Sequence, residues 1–154
     1  MKMRTNGKMS AMNRVSDAVG LFDKGCACSQ AILAVYGEHF GLERGLAMRI
    51  ASGFAGGMRM AETCGAVTGA FMVLGLRHGT EACVAQRGRG AVYAAVQDFT
   101  TRFQARNGTV VCRDLLGCDV ATPEGLEAAK KQGLFKTKCL KMVRDAAEIL
   151  ETML

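Results

Sequence analysis

Apolar positions along this chain recur at helical spacing and almost nowhere alternate. Cys28, Ala31, Ile32, Val35 and Tyr36 fall at i, i+3, i+4, i+7 and i+8, the stripe of a helix with one buried face. The same reading predicts a first helix over residues 12–22 stopped by Lys24-Gly25, and this second one over 28–40 stopped by Gly41. A third, over 42–54, is broken at Ala55-Gly56-Gly57. A fourth opens at Cys64 in the stretch AETCGAVTGAFMVLGLRHG. There Gly65 and Gly69, with Ala66 and Ala70 beside them, give one face that lets another backbone come close.

A longer fifth helix is predicted over 81–106, with Val92, Ala95, Val96, Phe99 and Phe103 buried and Asn107-Gly108 as its end. CRDLLGCDVATPEG reads as one helical turn, a loop and a helix start, with Thr122 as cap and Pro123 at the first helical position. The last helix is expected over 138–154, its stripe formed by Cys139, Val143, Ala146, Leu150 and Met153 at steps of four and three. No internal repeat or linker interrupts the pattern. The expectation is all-α: a single compact bundle of about five to seven helices over residues 11–154, behind a disordered segment 1–10.

Composition supports that class. Of 154 residues 49% are hydrophobic and 22% charged, a globular balance. One proline, no tryptophan and 6% aromatic residues weigh against a sandwich or barrel. The longest apolar run, Cys64 to Leu76, has 13 residues, against the roughly 20 that a helix needs to cross a bilayer, so no membrane insertion is expected. The net charge of +6 reads as a solvated basic surface. Its densest stretch, KKQGLFKTKCLKMVR, offers only Phe135 for stacking and makes a poor nucleic-acid platform. The basic start MKMRTNGKMSAMNR is followed by no signal-peptide core. With seven irregularly spaced cysteines, this favours the cytoplasm, where thiols are kept for ligation or redox work.

Four of the seven share a position. Cys28, Cys64, Cys112 and Cys139 each fall within about one turn of a predicted helix or helical-turn start, where free amides and the macrodipole stabilise a thiolate. Lys136 and Lys138 should lower the pKa of Cys139 further, and Arg113 that of Cys112. The expectation is a cysteine cluster at helix N-termini. Any one of these cysteines alone would be ordinary core, and the chain has no C-x-x-C. Cys26 pairs with Cys28 as C-x-C, Cys118 follows Cys112 by six positions, and Cys83 is expected on the solvent side. Glu62 is expected to cap the fourth helix, or else to support Cys64 from outside the ligand set. No Ser-His-Asp set, paired carboxylates or phosphate loop is visible.

The stretches GCACSQAIL, GFAGGM, ETCGAVTGA, CRDLLG and GLFKTKCLKMVRDAAEIL resemble the C-GCAxxG-C-C family of redox-active proteins. The likeness runs from about Val15 to Leu150. It identifies Cys28 before Ser29-Gln30-Ala31 as the first family cysteine, Cys64 as that of the CGAxxG motif, Cys112 as the third and Cys139 as the fourth. Cys26, Cys83 and Cys118 stand outside the family pattern. The family is also similar to an iron–sulfur domain of split-Soret cytochromes, although this chain lacks the C-x-x-C-H of covalent haem.

The resemblance implies a redox-active protein whose four cysteines bind an iron–sulfur cluster, most simply [2Fe–2S], for electron transfer or redox sensing with a redox partner protein. A cofactor-free thiol/disulfide oxidoreductase or sensor and a structural zinc site in an interaction protein stay open beside it. Also open are placement within one chain or across a homodimer, and replacement of a ligand by Cys26 or Cys118.

Overall fold

Local chemistry sets most helix ends. The computed structural model describes residues 11–81 and 86–154; segment 1–10 and Cys83 lie outside the described residues. Helix α1 (Ala11–Asp23) leads to α2 (Cys28–Gly37), whose last turn tightens into the 3₁₀ segment Glu38–Phe40 and stops at Gly41 in the left-handed conformation. Helix α3 (Arg44–Ala51) begins two residues later than its apolar pattern suggests. The reason is a cap: the Glu43 carboxylate accepts from the amides of Gly45 (2.7 Å) and Leu46 (2.8 Å).

After the 3₁₀ turn Ser52–Phe54 come α4 (Gly65–His78), α5 (Gln86–Asn107), the five-residue α6 (Cys112–Leu116) and α7 (Pro123–Lys131). Helix α7 starts as its sequence predicts, with Thr122 Oγ1 accepting from the Gly125 amide at 3.0 Å. The last helix, α8 (Leu140–Glu151), starts later than expected because a widened π turn, Phe135–Cys139, precedes it, and it ends three residues early at the cap residue Thr152. The fold is all-α, with eight α-helices among the described residues. Its one β feature there is an isolated antiparallel bridge between Thr63 and Val111. None of these helices is long and apolar enough to cross a membrane.

Helix α2 is the centre of the packing. It contacts α1, α3, α4 and α8, while α5 packs on α4 and α8. Its buried residues Ile32, Leu33 and Tyr36 join Val67, Leu74, Phe99, Phe103, Val143 and Leu150 in the main core. Of the five residues expected on the buried stripe of α5, Phe99 and Phe103 are fully buried and stack there with centroids 6.1 Å apart, while Val92, Ala95 and Val96 are only partly buried. The buried Tyr36 hydroxyl lies 3.0 Å from Glu151 Oε1 and 3.1 Å from the Ala147 carbonyl. Arg14 donates to the same carboxylate at 2.7 Å, tying α1, α2 and α8 together.

The glycine face of α4 serves the close approach its sequence predicts, and the backbone that approaches is that of α2. A Cβ added at Gly69 would lie 3.0 Å from the Ser29 carbonyl oxygen and 3.1 Å from Ile32 Cβ. Gly69→Ala is therefore expected to force α2 and α4 apart and to cost about 1–3 kcal/mol, read as a lower urea midpoint at unchanged slope.

Candidate functional site

Two polar residues after the first family cysteine fix where α2 starts. Ser29, fully buried, donates from Oγ to the Ala51 carbonyl at 2.8 Å. Gln30 accepts from the Ala27 amide at 3.0 Å and donates to the Met48 carbonyl at 3.0 Å. The bonds to Ala51 and Met48 hold the N-terminus of α2 against α3, with Cys28 as the first residue of the helix.

The Thr63–Val111 bridge places the next two cysteines. The Cys64 amide donates to the Val110 carbonyl at 2.8 Å, and the Cys112 amide donates to the Glu62 carbonyl at 2.6 Å. Residues 48 positions apart in the chain are thereby brought to neighbouring helix starts: Cys64 as the cap residue of α4 and Cys112 as the first residue of α6. Cys139 comes from the end of the π turn. That turn is already in helical conformation, so the expected free helix start is absent at Cys139.

These four thiols line one cavity of about 200 Å³. Its remaining walls are largely apolar, with Phe22, Leu116, Leu126, Phe135 and Met142 among them. Cys118 packs against the small buried cluster that includes Cys112, Leu116 and Val120 without lining the cavity, and Cys26 does not line it. The cysteines among the described residues carry no disulfide.

Between α3 and α4 the chain does something its sequence signals only by a glycine pair. Gly56, Gly57, Met58 and Arg59 all adopt left-handed dihedrals, with φ of 62°, 60°, 59° and 57°, and Ala61 does so again at 52°. This left-handed turn is pinned from α6, where Arg113 donates to the Ala61 carbonyl at 3.2 Å and pairs with the Glu62 carboxylate. Glu62 thus serves Arg113 and Cys112, and the expected cap on α4 is not formed. A left-handed conformation costs an L residue roughly 1–2 kcal/mol, while glycine in a structured position forfeits about 0.5–1 kcal/mol of chain entropy. Met58→Gly is therefore expected to leave stability unchanged or raise it by up to about 1 kcal/mol, measurable as a higher denaturant midpoint.

The electrostatics correct the expectation of stabilised thiolates. Burial, the largest influence, pushes the Cys28 thiol up, against amide hydrogen bonds to its sulfur from Gly56, Ser29 and Gly65. Cys64 is raised further by burial and then by the other three site thiols, with one opposing amide from Ala66. Burial lifts Cys112 to about 11 and outweighs the opposing charge of Arg113. Cys139 reaches about 12 through burial and its neighbouring thiols. Lys136 turns away from it to Asp23, 3.4 Å distant. Without a metal the thiols are protonated near neutral pH. The burial that raises these values also keeps water from competing for any cation the sulfurs hold.

The donor set suits a thiophilic metal group. Four sulfurs converge from four elements, and amide donors are already aimed at Cys28 and Cys64. Gly65 supplies the space for Cys28, since a Cβ there would overlap the Cys28 sulfur. Among the described residues, no three His, Cys, Asp or Glu side chains are placed to hold a metal ion.

A family model described as "Putative redox-active protein (C_GCAxxG_C_C)" matches residues 26–153. No curated protein and no solved structure matches the chain.

Proposed function

Because the chain belongs to the C_GCAxxG_C_C family of redox-active proteins, we propose that Cys28, Cys64, Cys112 and Cys139 hold an iron–sulfur cluster, [2Fe–2S] in its simplest form, for electron transfer or redox sensing. The observation that carries this reading is the convergence of the four thiols on one largely apolar cavity. When bound, such a cluster supplies a one-electron couple whose potential follows charge, hydrogen bonds to sulfur and exposure. The protein's own residues serve the last two of these. The amides of Gly56, Gly65 and Ala66 donate to cysteine sulfur, while Phe22, Leu126, Phe135 and Met142 keep water out. Electrons would be exchanged with a separate redox partner protein.

Loading exchanges four thiol protons for metal, so uptake is expected to release protons into a weakly buffered solution. Zinc would draw all four sulfurs to about 2.3 Å from a single ion.

The test is anaerobic purification followed by a visible spectrum and assays of iron, zinc and acid-labile sulfide. Iron with sulfide, and thiolate-to-iron bands between roughly 300 and 600 nm, is the expected result. Zinc alone would replace the reading with a structural site. Metal-free protein whose thiols oxidise reversibly in pairs would replace it with disulfide chemistry.

A further inference from the structure

The cavity that gathers the thiols has a single charged side chain in its wall. Among the described residues that line it, only Arg59 carries a charge. Its backbone sits at φ 57°, ψ 16° in the left-handed turn, and its side chain folds back across Gly56. Cδ and Nη1 lie 3.6 and 3.9 Å from where a Cβ on Gly56 would be, with Val120 Cγ2 also 3.9 Å from that point. Gly56 is the residue whose amide donates to the Cys28 sulfur. Arg113, the nearby cation on α6, is neutralised by Glu62. No carboxylate among the described residues pairs with Arg59. Backbone strain and an uncompensated cation thus coincide at one residue, in the wall of an otherwise apolar hollow. Strain of this kind persists where the surrounding structure enforces it, and it clusters at functional sites.

We propose that Arg59 is the counter-charge of the thiolate site, a positioning residue that raises the reduction potential of the centre held there. The inference rests on the iron–sulfur reading. Two ferric ions, two sulfides and four thiolates sum to a dianion. One electron accepted from an external one-electron donor makes a trianion, with no bond broken and no proton taken up. A fixed positive charge favours the trianion over the dianion, and apolar walls screen that preference less than water would. Arg59 is itself exposed, which limits the effect.

The test uses full-length protein loaded with iron and sulfide, together with Arg59→Asn and Arg59→Lys. Asparagine tolerates the left-handed conformation, so the first variant removes charge without new strain, and the second keeps charge. Each is titrated with dithionite against redox dyes, and the ratio of reduced to oxidised centre is read from the visible spectrum. At the wild-type midpoint, Arg59→Asn is expected to lower that ratio about three- to tenfold, tenfold being about 59 mV for a one-electron couple. Arg59→Lys should stay within about twofold. Added salt should narrow the difference between wild type and Arg59→Asn.

A wild-type value in Arg59→Asn, or an equal fall in Arg59→Lys, overturns the assignment and leaves the cluster reading standing. Should Arg59→Asn fail to load, Arg59→Gly, which also accepts the left-handed conformation, takes its place, and a wild-type ratio in that variant overturns the assignment. A wild-type protein that takes up no iron and sulfide overturns the cluster reading and this inference together.

Discussion

Cys64→Ser is expected to abolish assembly of the metal centre while the helical fold survives. Burial raises the Cys64 thiol, the other three site thiols raise it further, and all four line the same cavity. It also caps α4 and hangs from the Thr63–Val111 bridge through its amide, so its sulfur is held by backbone that a serine would leave in place. The substitution exchanges a soft ligand for a hydroxyl that stays protonated at neutral pH and is buried to 7% exposure. Loss of iron should exceed the roughly 10–100-fold penalty typical of outer-shell changes, with about 1–3 kcal/mol of destabilisation from the buried hydroxyl. Iron and sulfide assays, the visible spectrum and far-ultraviolet circular dichroism check the three statements. Cys118→Ser is the control, expected to retain the centre because Cys118 lies outside the cavity lining. Equal loss in that variant would place Cys118 among the ligands.

Gly57→Ala should be among the most damaging single methyl additions in the chain. Gly57 has φ +60°, and a Cβ there would overlap the Glu62 amide nitrogen, lie 2.8 Å from the Glu62 carbonyl oxygen and 3.0 Å from Cys112 Cβ. The left-handed penalty of about 1–2 kcal/mol and overpacking of about 1–3 kcal/mol add to roughly 2–5 kcal/mol. That is a large part of the 5–15 kcal/mol that typically separates folded from unfolded chains. Glu62 also accepts the Cys112 amide and pairs with Arg113, so relief of the overlap should displace the Cys112 thiol. The expected outcome is a large fall in urea midpoint and loss of iron together. The neighbouring Met58→Gly, which relaxes the same turn, should keep both. A stable, iron-loaded Gly57→Ala would show that the turn is not held as described.

The helices were legible because their causes are local. The periodic stripe of α2, the Thr122-Pro123 start of α7 and the stop at Gly41 depend on residues within a turn or two, and these lie where the pattern places them. The tight crossing of α2 and α4 was legible as a face, since Gly69 and its small neighbours announce a close approach, although not which helix makes it. The family cysteines were legible by motif, and three of them do stand at helix starts. Cys139 does not, because a π turn carries the helix through it, and one-residue widenings of a helix leave no periodic mark.

The rest depends on contacts distant in sequence. The Thr63–Val111 bridge, which brings Cys64 and Cys112 together, has one residue on each side and no strand pattern around it. Met58 and Arg59 lack any intrinsic preference for left-handed dihedrals, so the turn that carries Arg59 to the cavity wall exists only because Arg113, Glu62 and the packing of α6 enforce it. The thiol charge states reversed for the same reason. A helix start and a nearby lysine argue for thiolates, whereas burial by distant apolar walls decides the sign. By itself, then, the sequence determined the helices, the choice of thiols and the face of closest approach. Only the tertiary structure decided that the thiols share one largely apolar cavity and remain protonated there. Solvent exclusion and chain reversal are set by residues far apart along the chain, which no local pattern encodes.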